Sequence, residues 1–222
     1  MALIKGKLSE IPSDAVLLSE KEAVEYQVKL IRNWRYPMDV FAFKYGACLL
    51  ASSSAAAGIY MNSHYRMKFK LLHYGRVSSY MPIVLLPAAL SLILHTEAVL
   101  PKLTLGVSCP TCIELRAASL QAAFGGIMPP VLGVLSSVAL AVQYGTYNVP
   151  YVTREPLKVL QIVTKMTKPI STTIFGIILG QAALAMGVTY FEAKSVHTVN
   201  RKLDQWEREF EQNGDKAPPL SP

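Results

Sequence analysis

Cys109 and Cys112 stand in a C-P-T-C run, and paired thiols at that spacing serve three kinds of chemistry. They can supply half of a zinc site, cycle as a redox pair of the thioredoxin type, or close a local structural disulfide. Zinc needs two further ligands, yet the remaining candidates, Cys48, His64, His73, His95 and His197, are scattered over other segments. A thioredoxin-like enzyme calls for a βαβ pattern around the pair, and none surrounds it. In an oxidising compartment a local disulfide or an inert thiol pair is the expected state, and no cofactor is expected.

Ionisable side chains inside apolar stretches form a second class of candidate functional residues, because charge is costly in lipid. Lys44, His95 and Glu97 qualify. Lys44 can snorkel to the near interface, while His95 and Glu97 lie within about one turn of a helix end, so all three are expected at headgroup level. No charge falls near the middle of an apolar block, where a transporter would be expected to hold one. No phosphate loop, nucleophile triad or metal-ligand helix motif is present, so an enzyme is not expected.

The elements that must position these residues follow from the distribution of apolar side chains. Of 222 residues, 51% are hydrophobic and 17% charged, against roughly 25% charged in a soluble domain. The apolar residues fall into four blocks, about 40–61, 77–100, 117–144 and 169–191. Each has roughly the 20 residues that a helix needs to cross about 30 Å of hydrocarbon. Only a helix satisfies its own backbone in lipid, so the expected fold is an all-α membrane protein, a bundle of four transmembrane helices. Residues 1–39 form an extramembrane segment, 40–191 the membrane domain, and 192–222 a charged helix with a disordered, proline-containing tail.

Both flanks are expected to carry amphipathic helices. Ser19 and Glu22 form a capping box, and Val24, Val28, Ile31 and Trp34 recur at helical spacing, ahead of Pro37. The stretch from Glu192 to Phe210 prolongs the fourth helix, with Val196, Val199, Leu203, Trp206 and Phe210 as an apolar stripe. That stripe needs a partner, either the N-terminal helix or a second protein.

The net charge of +7 sits mainly in loops 62–76 and 145–168. The positive-inside bias places those loops in a cytosol or a mitochondrial matrix, with both tails and the cysteine pair opposite. Basic loops beside spans are ordinarily topology determinants or contacts for anionic membrane lipids, so no nucleic-acid partner is expected. Early acids such as Glu10 and Asp14 argue against a cleaved mitochondrial presequence, and import would use internal signals.

Close helix packing is written into two rows of small residues. Gly176 and Gly180 form G-x-x-x-G, and Gly133, Ser137, Ala141 and Gly145 repeat a small side chain every fourth position. Such rows join helices of one chain or receive helices of another. Pro82, Pro87, Pro129 and Pro130 are expected to break or kink their helices, and with Gly125 and Gly126 a break could line a solute site.

The run C-P-T-C-I-E-L-R-A-A-S-L-Q-A-A-F-G-G-I-M-P resembles the transmembrane protein 126 family of mitochondrial inner-membrane proteins. The matching positions are Cys109, Thr111, Cys112, Arg116, Gly125, Gly126 and Pro129, and Thr167 to Pro169 is similar too. The likeness covers about residues 40–195. Members of that family act as assembly factors, or chaperones, of respiratory complex I, holding membrane-arm subunits and other assembly factors. The resemblance therefore implies a respiratory-chain scaffold whose partners are those proteins. Gly133, Ser137, Ala141, Gly176 and Gly180 would make its helix contacts, and Arg116 with the cysteines would shape the second loop. A small-solute or lipid transporter using proline-broken spans is the alternative.

Overall fold

The computed structural model describes residues 18–106, 109–148, 150 and 155–213. The expected disordered tail at 214–222 and the first part of the extramembrane segment, 1–17, lie outside the described residues. Helix α1 (Glu20–Arg32) starts where the capping box puts it: the Glu22 N–H donates to the Ser19 hydroxyl at 3.4 Å, and the Ser19 N–H donates to the Glu22 carboxylate at 2.8 Å. Two otherwise orphaned helix donors are satisfied, and the hydroxyl and N–H of Ser19 together hold the Glu22 carboxyl below its ordinary value.

Three long helices follow, α2 (Pro37–Lys68), α3 (Arg76–Leu105) and α4 (Pro110–Tyr144). Each starts at or just after a proline or an arginine-anchored turn, and α3 and α4 stop at Gly106 and Gly145, whose φ values of 60° and 61° favour a residue without Cβ. After α5 (Pro156–Thr167), a single 3-10 turn at Lys168–Ile170 leads into α6 (Ser171–Asn213), so the fourth rod combines both. All four rods carry a stretch long and apolar enough to span a bilayer, and the chain is a multi-pass membrane protein. Part of the expected loop 145–168 is thus helical. Val159 and Met166 turn inward from α5, while Lys158 stays outside and pairs with Glu155 at 2.8 Å.

The prolines do not break the spans. Pro87, Pro129 and Pro130 lack the N–H that an α-helix would offer to the carbonyl four residues earlier, and the chain absorbs the loss in widened π turns just upstream, the first of which contains Pro82. Such turns occupy Met81–Leu85 before Pro87, His95–Val99 before Pro101, and Ala122–Ile127 before Pro129 and Pro130. The Ile83 carbonyl, which Pro87 cannot engage, faces Gly58 so closely that a Cβ there would lie 2.5 Å from the oxygen. A side chain at position 58 would therefore strike the α3 backbone, which Gly58 lets approach.

Helix α2 is the hub, packing against α3, α4 and α6. The interior divides along its length. Ile31, Phe43, Leu50, Val99, Ile113, Val188 and Val199 belong to an apolar core at the end shared by the tails and the second loop. Met61, Tyr65, Phe69, Leu140, Ala141 and Met166 form another at the end of the basic loops. There Arg66, expected as a loop charge that sets topology, turns inward instead. It donates to Ser79 Oγ at 2.9 Å and to the carbonyls of Leu72 and Tyr74 at 2.8 and 2.9 Å, fastening the turn between α2 and α3.

Candidate functional site

The two small-residue rows meet opposite fates. On α4, Gly133 faces α2 so tightly that a Cβ would stand 2.9 Å from the Tyr65 ring, and Ser137 and Ala141 are fully buried on the same stripe. That row is occupied from within the chain. Gly145, the fourth member, ends the helix and has no atom within contact range of a Cβ. On α6, Gly176 and Gly180 are exposed, and a Cβ on either would meet nothing within 4 Å. Of the two uses open to such a row, contact within this chain is not made, because α6 turns both glycines outward beside the exposed side chains Phe175 and Leu179.

Between the two apolar cores lies a polar layer that charge and motif spacing do not single out. Gln121 of α4 donates through its amide to Gln181 Oε1 of α6 at 2.7 Å and to Ser54 Oγ of α2 at 2.9 Å. Ser54 in turn lies 2.8 Å from Ser91 of α3, and Ser53 donates to Gln181 at 2.9 Å. All four rods are joined. In a medium without water each of these groups must find a protein partner, so the layer fixes which helix faces which. Gly125 makes room for it: a methyl there would strike Ser54 Oγ at 2.6 Å and Gln121 Nε2 at 2.7 Å.

Next to this layer sits a buried histidine–carboxyl hydrogen bond. His95 Nε2 of α3 lies 2.8 Å from the Glu192 carboxylate of α6, with His95 at 4% exposure and Glu192 at 0%. Sequence position places His95 at headgroup level and Glu192 at the head of a solvated tail; in the structure both are interior. Glu192 falls on the same stripe as Val188, Val196 and Val199, which is the periodic signal that could have revealed it. Gly46 of α2 admits the carboxylate, since a Cβ would sit 2.4 Å from its oxygen. The adjoining cavity, lined by Ser91, His95, Ala117, Gln121 and Phe124 among others, measures about 10 Å³. That is room for about one water and not for a solute.

At the tail end, the open question about the C-terminal stripe resolves in favour of the N-terminal helix. Trp206 stacks on Trp34 with ring centroids 5.3 Å apart at 16°, and Val196, Val199 and Leu203 share the core with Ile31. Lys202 pairs with Asp39, and its ammonium lies 4.9 Å from the centre of the Tyr36 ring. The Phe210 side chain lies outside the described residues.

The cysteine pair belongs to a helix and not to a loop. Cys109 is the N-cap of α4 and Cys112 sits in its first turn, whose N–H donates to the Cys109 carbonyl at 3.0 Å. Both thiols are free and exposed, as is Cys48 on α2. Arg116, expected to shape the second loop, is instead on α4 itself, exposed one turn beyond Cys112.

Comparison with known proteins meets this architecture along nearly its whole length. The family profile described as Transmembrane protein 126 matches residues 26–204. A Drosophila melanogaster protein described as Transmembrane protein 126 is 33% identical over 214 residues, which is 96% of this chain and 96% of that protein. No solved structure matches.

Proposed function

The chain belongs to the transmembrane protein 126 family, and from that premise we propose that it is a scaffold of the mitochondrial inner membrane that assists assembly of the membrane arm of respiratory complex I. Its clients are membrane-arm subunits and other complex I assembly factors, and the two basic loops, 62–76 and 145–168, lie on the matrix side. The observation that carries the reading is the outward row on α6. An unassembled membrane subunit exposes helix faces that in the finished complex would be covered. A chain that keeps Gly176 and Gly180 exposed one turn apart on α6 offers such a face close backbone approach until the proper neighbour arrives. The rest of the bundle is suited to hold that face still, because the polar layer and the His95–Glu192 pair tie α6 to the other three rods.

The chamber beside the polar layer has room for about one water, which suits a packed scaffold interior. The experiment is a native-gel mass-spectrometry profile of mitochondria with and without this chain. Co-migration with partial complex I assemblies, and a stalled membrane arm on its loss, are the expected results. Unaltered complex I in its absence would overturn the proposal, and saturable transport by the purified chain in proteoliposomes would put a transporter in its place.

A further inference from the structure

The C-P-T-C pair takes no part in the scaffold reading, and its placement suits a chemistry of its own. Pro110 and Thr111 are helical, so the Cα atoms of Cys109 and Cys112 stand about 5 Å apart by helix geometry, inside the range of about 4.4–6.8 Å that a disulfide spans. Both sulfurs are exposed and free. Cys109 occupies the N-cap of a long helix, whose dipole favours negative charge there, while the Cys112 and Ile113 N–H groups donate to the Cys109 carbonyl. The N–H and thiol of Cys112, with the N–H of Thr111, hold the Cys109 thiol below its ordinary value, although its sulfur makes no capping hydrogen bond of full geometry. Pro110 contributes no N–H and fixes the first turn. The two thiols are therefore unequal by position: one at the electropositive tip, the other within reach behind it.

We propose that Cys109 and Cys112 form a reversible dithiol–disulfide couple at the start of α4, with Cys109 the exchange nucleophile toward an external disulfide and Cys112 the resolving thiol. The Cys109 thiolate attacks one sulfur of the external disulfide. That S–S bond breaks, the leaving thiolate takes up a proton, and a mixed disulfide remains on Cys109. Cys112 then loses its proton to solvent and attacks the Cys109 sulfur, releasing the second external thiolate. The pair is oxidised by two electrons and the external disulfide is reduced to two thiols. The absence of a thioredoxin-like βαβ frame does not matter for this exchange, which needs only an accessible thiolate at a helix start and a partner one turn away.

The test uses the full chain in detergent micelles, in a Cys48→Ser background, exposed in separate arms to glutathione disulfide and to a denatured disulfide-bonded polypeptide, then alkylated and mapped by mass spectrometry. Both thiols are expected to vanish together as a Cys109–Cys112 crosslink that dithiothreitol reverses. Cys112→Ser should accumulate a mixed disulfide on Cys109, and Cys109→Ser should do so on Cys112 about tenfold more slowly. Reaction in one arm alone also supports the couple and identifies its oxidant as a small molecule or a protein. The proposal is overturned if both thiols stay alkylatable in both arms, or if the two single variants form mixed disulfides at equal rates and no crosslink appears. Neither result bears on complex I, so it stands or falls apart from the scaffold reading.

Discussion

Helix α4 and helix α6 carry the same kind of sequence signal, a small residue every fourth position, in opposite surroundings. On α4 the row is filled by Tyr65 and its neighbours on α2. On α6 the row at Gly176 and Gly180 faces away from every other described helix. The most apolar stretch of the third rod is 44% buried and that of the fourth 22%, so the contrast extends beyond the glycines to whole faces. Small-residue spacing states that a backbone can be approached closely; it does not state by whom. The occupied row explains how the bundle holds together, and the empty one marks where it has capacity to spare.

The contrast can be broken most severely from the inside. His95→Ala should cost about 3 kcal/mol, because it leaves the fully buried Glu192 carboxyl without its hydrogen-bond partner and loosens the hold on α6. The measure is the thermal unfolding midpoint in detergent, and an unchanged midpoint would mean that the pair does not tie α6 down. Gly133→Leu should destabilise by about 2–3 kcal/mol, since the new side chain must displace the Tyr65 ring from a packed site. Trp206→Ala removes the ring stacked on Trp34 and should cost about 2 kcal/mol, read as faster proteolysis of α1 while the spans stay intact. Smallest in stability is the double change Gly176→Leu, Gly180→Leu. It should shift the unfolding free energy by no more than about 0.5 kcal/mol, because both positions open onto empty space, yet it should abolish co-purification of membrane partners. A large loss of stability would show that α6 packs inward through these glycines.

Much of the architecture is legible in the amino-acid order. Four apolar blocks flanked by charge require four spans, and the Ser19–Glu22 capping box and the prolonged fourth helix follow from local chemistry. The partner of the C-terminal stripe is not legible, because amphipathic periodicity reveals a face and not its cover. Glu192 escapes notice since it stands next to a run of charges in sequence, while in space it stands on the inner stripe with Val188 and Val196. Gln121 and Gln181 carry no charge and so pass through a search for ionisable residues. An amide inside an apolar block is the signal that finds them. The π turns are hidden for another reason: a proline announces a missing hydrogen bond, but whether the chain kinks, breaks or widens depends on neighbours such as Gly58 that can approach the freed carbonyl.

The most direct test of the scaffold assignment places a photo-crosslinking side chain at Leu179, which is 53% exposed between the two bare glycines, and another at the fully buried Met61. In intact mitochondria, illumination of the Leu179 variant should yield adducts with complex I membrane-arm subunits or their assembly factors, and the Met61 variant only crosslinks within the chain. If Leu179 captures lipid alone while the membrane arm is assembling, the open face of α6 holds no client and the central assignment is contradicted.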